Sequence, residues 1–262
     1  MRAMPIQVRR GLSGWTQLKA AWNANQLYYF QEAIGLGIFM VSACFFGSML
    51  FSPYSSWYAY LPDVFLRNIL MGVAMGVTAL VIFYSPITAP SGAHINPAVS
   101  LAFLRIGKTC RYDTLFFVLF QITGGTVAVF LMQLFLGKLL TSAPVHSVVT
   151  VPGKYGVAAA AVTEFSIAFI TMMMVLFTSH HNTLKKYTRI FAACLVCVWV
   201  IAAGPVSGFG MNPARSFASA LPAQIWTAFW IYLLMPFAGM MAAAEFFLKT
   251  KFAKQVTVKN GI

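Results

Sequence analysis

The chain has 262 residues, of which 60% are hydrophobic and only 9% are charged, and its formal net charge is +13. Soluble domains usually contain roughly a quarter charged residues, so this composition excludes an ordinary soluble domain and indicates a membrane protein. The first 26 residues are polar and basic and lack the short apolar core of a cleavable signal. We therefore expect membrane insertion to begin with the first hydrophobic span.

Six apolar stretches are each long enough to cross a bilayer, which takes roughly 20 residues. In chain order they are Leu27–Leu50, Ile69–Ile87, Tyr112–Gly137, Ala158–Ser179, Tyr187–Ala203 and Ile225–Leu248. The expected fold class is an all-α membrane protein. Residues 1–262 are treated as one transmembrane domain, with tails 1–26 and 249–262 outside the membrane.

Lysine and arginine are distributed unevenly between the two sides of this topology. The side with both tails holds Arg2, Arg9, Arg10, Lys19, Arg105, Lys108, Arg111, Lys185, Lys186, Arg189, Lys249, Lys251, Lys254 and Lys259. The opposite side holds Arg67, Lys138 and Lys154. Because cytoplasmic loops are enriched in basic residues, both termini are expected in the cytoplasm of a plasma or inner-membrane protein that contacts anionic lipids. Nucleic-acid binding also suits a pI near 9.9, but charge scattered over short loops argues against it.

One polar decapeptide occurs twice within this apolar chain. SGAHINPAVS occupies 91–100 and SGFGMNPARS occupies 207–216. Asparagine is a strong helix N-cap and proline is tolerated at the first helical position, so each motif predicts a helix that begins after its asparagine. The apolar piece that follows, of about ten residues or roughly 15 Å, is too short to span. Each is therefore predicted to be a re-entrant half-helix.

The two halves of the chain share one order of features. Residues 27–140 and 155–250, approximately, each hold a span with an early glutamate (Glu32 or Glu164), a second span, the decapeptide and a third span. Because each half has an odd number of spans, the second half enters the membrane from the opposite side. Such an inverted repeat usually has its functional site near the midplane of the bilayer. The half-helix N-termini would meet there with their positive dipole ends.

These features resemble the aquaporin, or major intrinsic protein, family over essentially the whole chain. The motifs that carry the resemblance are Asn96-Pro97-Ala98 and Asn212-Pro213-Ala214. The resemblance implies an aquaporin-like bundle of six transmembrane helices and two half-helices, with one pore per subunit and a homotetramer. It implies a passive channel rather than an enzyme, without catalytic residues, cofactor or metal, whose partners are water, small neutral solutes and the bilayer.

The motif residues indicate how such a pore would work. The side-chain amides of Asn96 and Asn212 are expected to donate to one water oxygen, which turns the hydrogens of that water outward and interrupts a proton relay. The two dipole ends add a barrier to cations. Two ladders of backbone carbonyls would accept hydrogen bonds from water; they comprise Gly92, Ala93, His94 and Ile95, and Gly208, Phe209, Gly210 and Met211.

Arg215 stands where the first copy of the motif has Val99. A lone charge in the membrane is costly and by default functional, although an arginine paired with a carboxylate for structural reasons is the alternative. The resemblance places Arg215 in an outer aromatic/arginine ring, the selectivity filter, together with Phe209 and Val200.

The fourth member of the ring is expected in the second span, about twenty residues before the first motif asparagine. That position is Gly76, or Met75 if the segment SPITAPSG carries a one-residue insertion. Gly76 also lies at GxxxG spacing from Gly72, which favours a close helix contact.

The predicted ring departs from that of strict water channels, because it has neither a histidine nor an aromatic residue from the second span. Phe209 beside Arg215 resembles the glycerol-conducting branch of the family. Ser216, Ala220 and the pair Phe229–Trp230 resemble water channels instead. Water is therefore the expected solute, and glycerol or another small neutral solute is the alternative.

Glu32 and Glu164 admit two interpretations. They could relay protons, as in a coupled secondary transporter. Alternatively, each could be a buried structural acid that accepts hydrogen bonds from the irregular backbone beside its half-helix. Their equivalent positions in the two halves favour the second interpretation. His94, which has no counterpart in the second half, is expected to form a hydrogen bond within its own loop.

Overall fold

The computed structural model describes residues 13–250, and this part of the chain contains helices and no strand. The helices are α1 Gly14–Phe51, α2 Ser56–Tyr60, α3 Val64–Tyr84, α4 Pro97–Arg105, α5 Arg111–Leu136, α6 Lys138–Thr141, α7 Gly156–His180, α8 Thr188–Ser207, α9 Pro213–Ala223 and α10 Phe229–Lys249. Six of them, α1, α3, α5, α7, α8 and α10, are long and apolar enough to cross a membrane. The prediction of an all-α protein with six spans is confirmed. Most of the two predicted tails, including Arg2, Arg9, Arg10, Lys251, Lys254 and Lys259, lies outside the described residues.

The first span begins much earlier than predicted. Helix α1 starts at Gly14 rather than Leu27. Its polar beginning is tied to α5, because the Asn25 side chain and the Tyr29 hydroxyl donate to the buried carboxylate of Asp113 at 3.0 and 2.6 Å. Hydropathy marks the apolar part of a helix, and it misses a polar extension that a distant residue stabilises.

Two later spans differ from their predicted bounds by a single helical turn. Helix α8 continues to Ser207 rather than ending at Ala203, and it stops at Gly208, which has a left-handed φ of 79°. Helix α10 begins at Phe229 rather than Ile225. Glycine is the usual residue at a left-handed helix end because it has no Cβ.

Both predicted half-helices are present, as α4 and α9. The Asn96 side-chain oxygen accepts a hydrogen bond from the Ala98 amide at 2.9 Å. The Asn212 oxygen accepts from the amides of Ala214 and Arg215 at 3.1 and 3.2 Å. Each asparagine is thus the N-cap of its half-helix, and each proline occupies the first turn.

The packing of the helices follows the two halves of the chain. Helix α1 packs on α5, and the equivalent α7 packs on α10. The half-helices cross over, because α4 contacts α10 of the other half and α9 contacts α5. Helix α3 packs against α8 across the interface, and α4 meets α9 at the centre. This exchange is the arrangement expected of an inverted repeat.

Two glycines in equivalent places allow the outer helix pairs to approach closely. A Cβ added to Gly124 of α5 would overlap the backbone of Ala33 in α1. A Cβ added to Gly239 of α10 would likewise overlap the backbone of Phe165 in α7. Small residues at such contacts are typical of membrane helices, because backbone packing replaces the hydrophobic effect as the driving force.

Candidate functional site

The two decapeptides follow the same unusual backbone path ahead of their half-helices. The φ angles are 99° and 79° at Gly92 and Gly208, 48° and 53° at Ala93 and Phe209, and 43° and 34° at Ile95 and Met211. Positive φ is uncommon outside glycine, and it is strained for a β-branched residue such as Ile95. Strain of this kind persists only where the surrounding structure imposes it, and it clusters at functional sites.

A buried carboxylate holds the first loop in this conformation. Glu32 of α1 is fully buried and accepts hydrogen bonds from the Ser91 hydroxyl at 2.7 Å and from the amides of His94 and Ile95 at 2.9 and 2.6 Å. The Gln121 amide of α5 donates to the same carboxylate at 2.8 Å. Two of these donors are backbone amides of the loop, so the Glu32 carboxylate ties the loop backbone to α1.

Glu164 of α7 plays the same part in the second half. It is fully buried and accepts from the Ser207 hydroxyl at 2.6 Å and from the Gly210 amide at 2.8 Å. The Met211 amide also donates to it. Each carboxylate therefore accepts hydrogen bonds from two backbone amides of its loop, as the interpretation of a buried structural acid requires.

The two motif asparagines reach across the centre toward each other's loops. The Asn96 amide nitrogen donates to the Met211 carbonyl at 2.9 Å, and the Asn212 amide nitrogen donates to the Ile95 carbonyl at 2.6 Å. An asparagine amide has two N–H donors, so one donor of each remains for another acceptor. The carbonyls of Ile95 and Met211, which are predicted to accept hydrogen bonds from water, each accept one from an asparagine and keep a second lone pair for another donor.

Residues 22–247 match the family profile described as "Major intrinsic protein". The chain belongs to this family. Aquaporin NIP1-4 of Oryza sativa is 34% identical over 175 residues, which cover 66% of this chain and 62% of the relative. Aquaporin TIP4-4 of Zea mays is 32% identical over 174 residues, which cover 63% and 68%. The aligned part of this major intrinsic protein thus spans a little under two thirds of the rice relative.

A solved structure shares the fold. The X-ray structure of the aquaglyceroporin from Plasmodium falciparum superimposes with a TM-score of 0.70 and 19% identity, covering 89% of this chain and 99% of that one. The expectation of an aquaporin-like bundle for this major intrinsic protein is confirmed.

Three predicted ring residues belong to the second motif or to α8, the helix that precedes it. Arg215 is in the first turn of α9 and is 8% exposed. Its guanidinium Nη1 has no hydrogen-bond partner among residues 13–250, and it forms no ion pair with a described carboxylate. Phe209 is 8% exposed, and Val200 of α8 is partly buried against the core.

Gly76 of this major intrinsic protein takes part in a helix contact. A Cβ added there would lie 2.8 Å from the Cβ of Cys197 in α8, and one added to Gly72 would lie 2.8 Å from the Cys197 carbonyl. The preceding residue, Met75, is buried and touches Ser42 of α1 instead. If SPITAPSG carries no insertion, the fourth ring position is Gly76, a glycine that is already in contact with α8. If it carries a one-residue insertion, the fourth ring position is Met75, which has a side chain.

The His94 ring contacts the half-helix that follows its loop, whereas a hydrogen bond within the loop was predicted. Its Nδ1 lies 3.1 Å from the Ser100 hydroxyl, and its ring stacks on Phe103 with centroids 4.8 Å apart. Among residues 13–250, no group of three or more histidine, cysteine or acidic side chains is arranged to hold a metal ion.

The sequence interpretation overlooked the side chains that support the two carboxylates. Ser91 donates to Glu32 and Ser207 donates to Glu164. Because a serine opens both decapeptides, the sequence alone could have indicated that the two serines have the same role. Gln121 was detectable as an isolated amide in an apolar span. The Tyr232 hydroxyl donates to the Ser207 carbonyl at 2.7 Å; an aromatic residue in an apolar helix gives no such signal.

Proposed function

We propose that this protein is a passive channel that conducts water in single file and excludes protons and ions, without a chemical step. The observation that carries this proposal is the crossed pair of motif asparagines at the meeting point of two half-helices. Each amide has one N–H bound to the opposite loop, so its orientation is fixed and its second N–H is available to a water molecule.

The exclusion of protons follows from the number of donors. A water that accepts one N–H from Asn96 and one from Asn212 has used both of its lone pairs. Its own hydrogens then point away from the centre, toward the carbonyls of Gly92, Ala93 and His94 on one side and of Gly208, Phe209 and Gly210 on the other. A proton cannot hop through a water that accepts no hydrogen bond from the waters on either side of it, and the helix dipoles repel cations at the same point.

The selectivity filter in this proposal consists of Met75, Val200, Phe209 and Arg215. The free Nη1 of Arg215 would offer a passing solute a hydrogen bond, and the other three side chains are apolar. Such a ring favours a second candidate function, the passage of glycerol or another small neutral solute beside water, because the walls tolerate carbon as well as oxygen.

We also propose a homotetramer in a cell membrane with cytoplasmic termini. The orientation is supported by the described cations, since Lys185 and Lys186 lie between α7 and α8 and Arg189 lies in the first turn of α8, all on the predicted inner side, whereas Lys154 lies before α7 on the other side. The outward surfaces of the spans are apolar, as contact with lipid or with neighbouring subunits requires.

Light scattering from vesicles reconstituted with the purified protein tests the function. Fast shrinkage in a sucrose gradient is expected, at a rate well above that of empty vesicles. In a glycerol gradient, fast re-swelling would assign the second candidate function, and slow re-swelling would assign a strict water pore. Shrinkage in sucrose that matches empty vesicles contradicts the channel.

A further inference from the structure

Met75 is the most flexible of the three apolar side chains in the proposed ring. Methionine is unbranched and has three rotatable bonds, so its side chain adapts easily to different spaces. A ring that includes such a side chain sorts solutes by size only if the thioether is held in one position. The residues that hold Met75 therefore determine how wide the ring is.

One hydroxyl group lies beside the Met75 thioether, and a second hydroxyl group lies next to the first. The Ser42 oxygen of α1 is 3.9 Å from the Met75 sulfur and 2.6 Å from the Thr78 hydroxyl of α3. The Thr78 hydroxyl is also 2.8 Å from the Ala74 carbonyl, one helical turn earlier. Ser42 thus lies between Thr78 and Met75, where it links α1 to α3.

The hydroxyl protons can be arranged in two ways, and both keep Ser42 in place. If Thr78 donates to the Ala74 carbonyl, then Ser42 donates to Thr78. If Thr78 donates to Ser42 instead, the Ser42 proton is free to point at the Met75 sulfur. In either case the bond between the two hydroxyls fixes the Ser42 oxygen against the thioether.

The opposite side of α3 is also fixed. Gly72 and Gly76 leave no room for a side chain between α3 and α8, so α3 has little freedom to turn. Met75, one position before Gly76, is 2% exposed and packs in the core on the side of α1. Within this buried setting, the polar contact to its sulfur comes from Ser42, whose oxygen is held by Thr78.

We propose that Ser42 is a positioning residue that sets the size limit of the ring for neutral solutes of glycerol size. The inference rests on the proposed channel function and on Met75 as a ring member. Ser42 does not touch the solute; it acts by holding the thioether in one rotamer. Without its hydroxyl, the Met75 side chain moves into the space that the oxygen leaves, and the ring opens toward larger solutes.

The test compares the ratio of glycerol to water permeability in reconstituted vesicles of the wild type, Ser42→Ala and Ser166→Ala. Ser166 is the matched control, because its hydroxyl donates to the Val162 carbonyl at 2.8 Å within α7. We expect the ratio to rise by about threefold or more in Ser42→Ala, a modest change for a size filter, and to stay unchanged in Ser166→Ala. Once the permeabilities of empty vesicles are subtracted, the ratio does not depend on how much protein folds, so a purely structural role leaves it unmoved. An unchanged ratio in Ser42→Ala overturns the proposal.

A double-mutant cycle and a second variant make the test specific to Met75. In a Met75→Ala background, Ser42→Ala is expected to change the ratio no further; the same change in both backgrounds overturns the proposal. Thr78→Val removes the hydroxyl that holds Ser42, so it is expected to raise the ratio of glycerol to water permeability as Ser42→Ala does. This variant replaces Ser42→Ala in the test if Ser42→Ala folds poorly. Wild-type vesicles without fast water flux overturn the channel and this inference together, whereas fast flux with an unchanged ratio overturns this inference alone.

Discussion

Arg215 and Val99 occupy equivalent places in two otherwise similar half-helices, and this difference makes the pore asymmetric. Asn96 and Asn212 keep the centre symmetric, because each donates to the other's loop. Arg215 adds a cation on one side only, with an Nη1 that no described residue accepts from. In the proposed channel, these residues would therefore have two separate roles: Asn96 and Asn212 form a symmetric barrier to protons at the centre, and Arg215 contributes to a filter for solutes on one side.

Replacement of Arg215 tests the filter. In Arg215→Val, the ring loses its only charge and a large side chain, so we expect faster passage of glycerol and urea, with water flux at least retained. Solute and water permeability of reconstituted vesicles measure this. Glycerol and urea fluxes equal to those of the wild type would show that Arg215 is not at the constriction.

Replacement of Glu32 tests the anchor of the first loop. In Glu32→Gln, the charge is lost and an NH₂ group faces backbone amides that also donate, so at least about 2 kcal/mol of stability should be lost. For a protein of this size, that corresponds to a melting temperature lower by about 4–8 °C. Glu245→Gln is the control, because Glu245 forms an exposed ion pair with Arg105, typically worth below about 1 kcal/mol. Equal melting of the two variants in detergent contradicts the anchoring role.

At the scale of the helices, close packing at glycines positions the site. Helix α1 carries Glu32 and helix α5 carries Gln121, and the two helices meet at Gly124. Helix α3 meets α8 at Gly72 and Gly76, which directs Met75 away from that interface. The ring and the loop anchors therefore depend on contacts that a single methyl group would disturb.

Gly124→Ala tests this dependence. The new methyl group would overlap the backbone of Ala33, so we expect a loss of about 1–3 kcal/mol, together with lower water permeability per folded channel. Gly204→Ala is the matched control in α8, where an added Cβ meets no atom within 4 Å. Alanine favours a helix over glycine by about 1 kcal/mol, whereas the ring of Pro205 disfavours a Cβ on the residue before it, so we expect this variant to be close to the wild type in stability and more stable than Gly124→Ala. Thermal unfolding that ranks the two variants in the opposite order would contradict the packing argument.

Hydropathy and the repeated motif predict much of the molecule but not the contacts between distant segments. The spans, the half-helices and their caps at Asn96 and Asn212 follow from local composition. The start of α1 depends on Asp113, which is 88 positions from Asn25, so no local pattern reveals it. Likewise, the choice between Gly76 and Met75 depends on a one-residue register that only the packing of α3 against α8 distinguishes.

At the scale of the whole molecule, the inverted repeat makes orientation a testable property. Tyr155, 61% exposed, precedes α7 on the predicted outer side, and the exposed Lys185 follows α7 on the predicted inner side. In intact cells, a membrane-impermeant maleimide should label Tyr155→Cys, and it should leave Lys185→Cys at the level of the wild type. The reverse pattern would place the termini outside.

The central claim is that water crosses a pore that protons cannot cross. One measurement tests both parts, by recording volume change and internal pH in the same reconstituted vesicles, first under an osmotic gradient and then under a proton gradient with potassium and valinomycin present. The account predicts fast osmotic shrinkage and a proton leak no larger than that of empty vesicles. A proton flux that rises with the amount of reconstituted protein, or a water flux that does not, would contradict it.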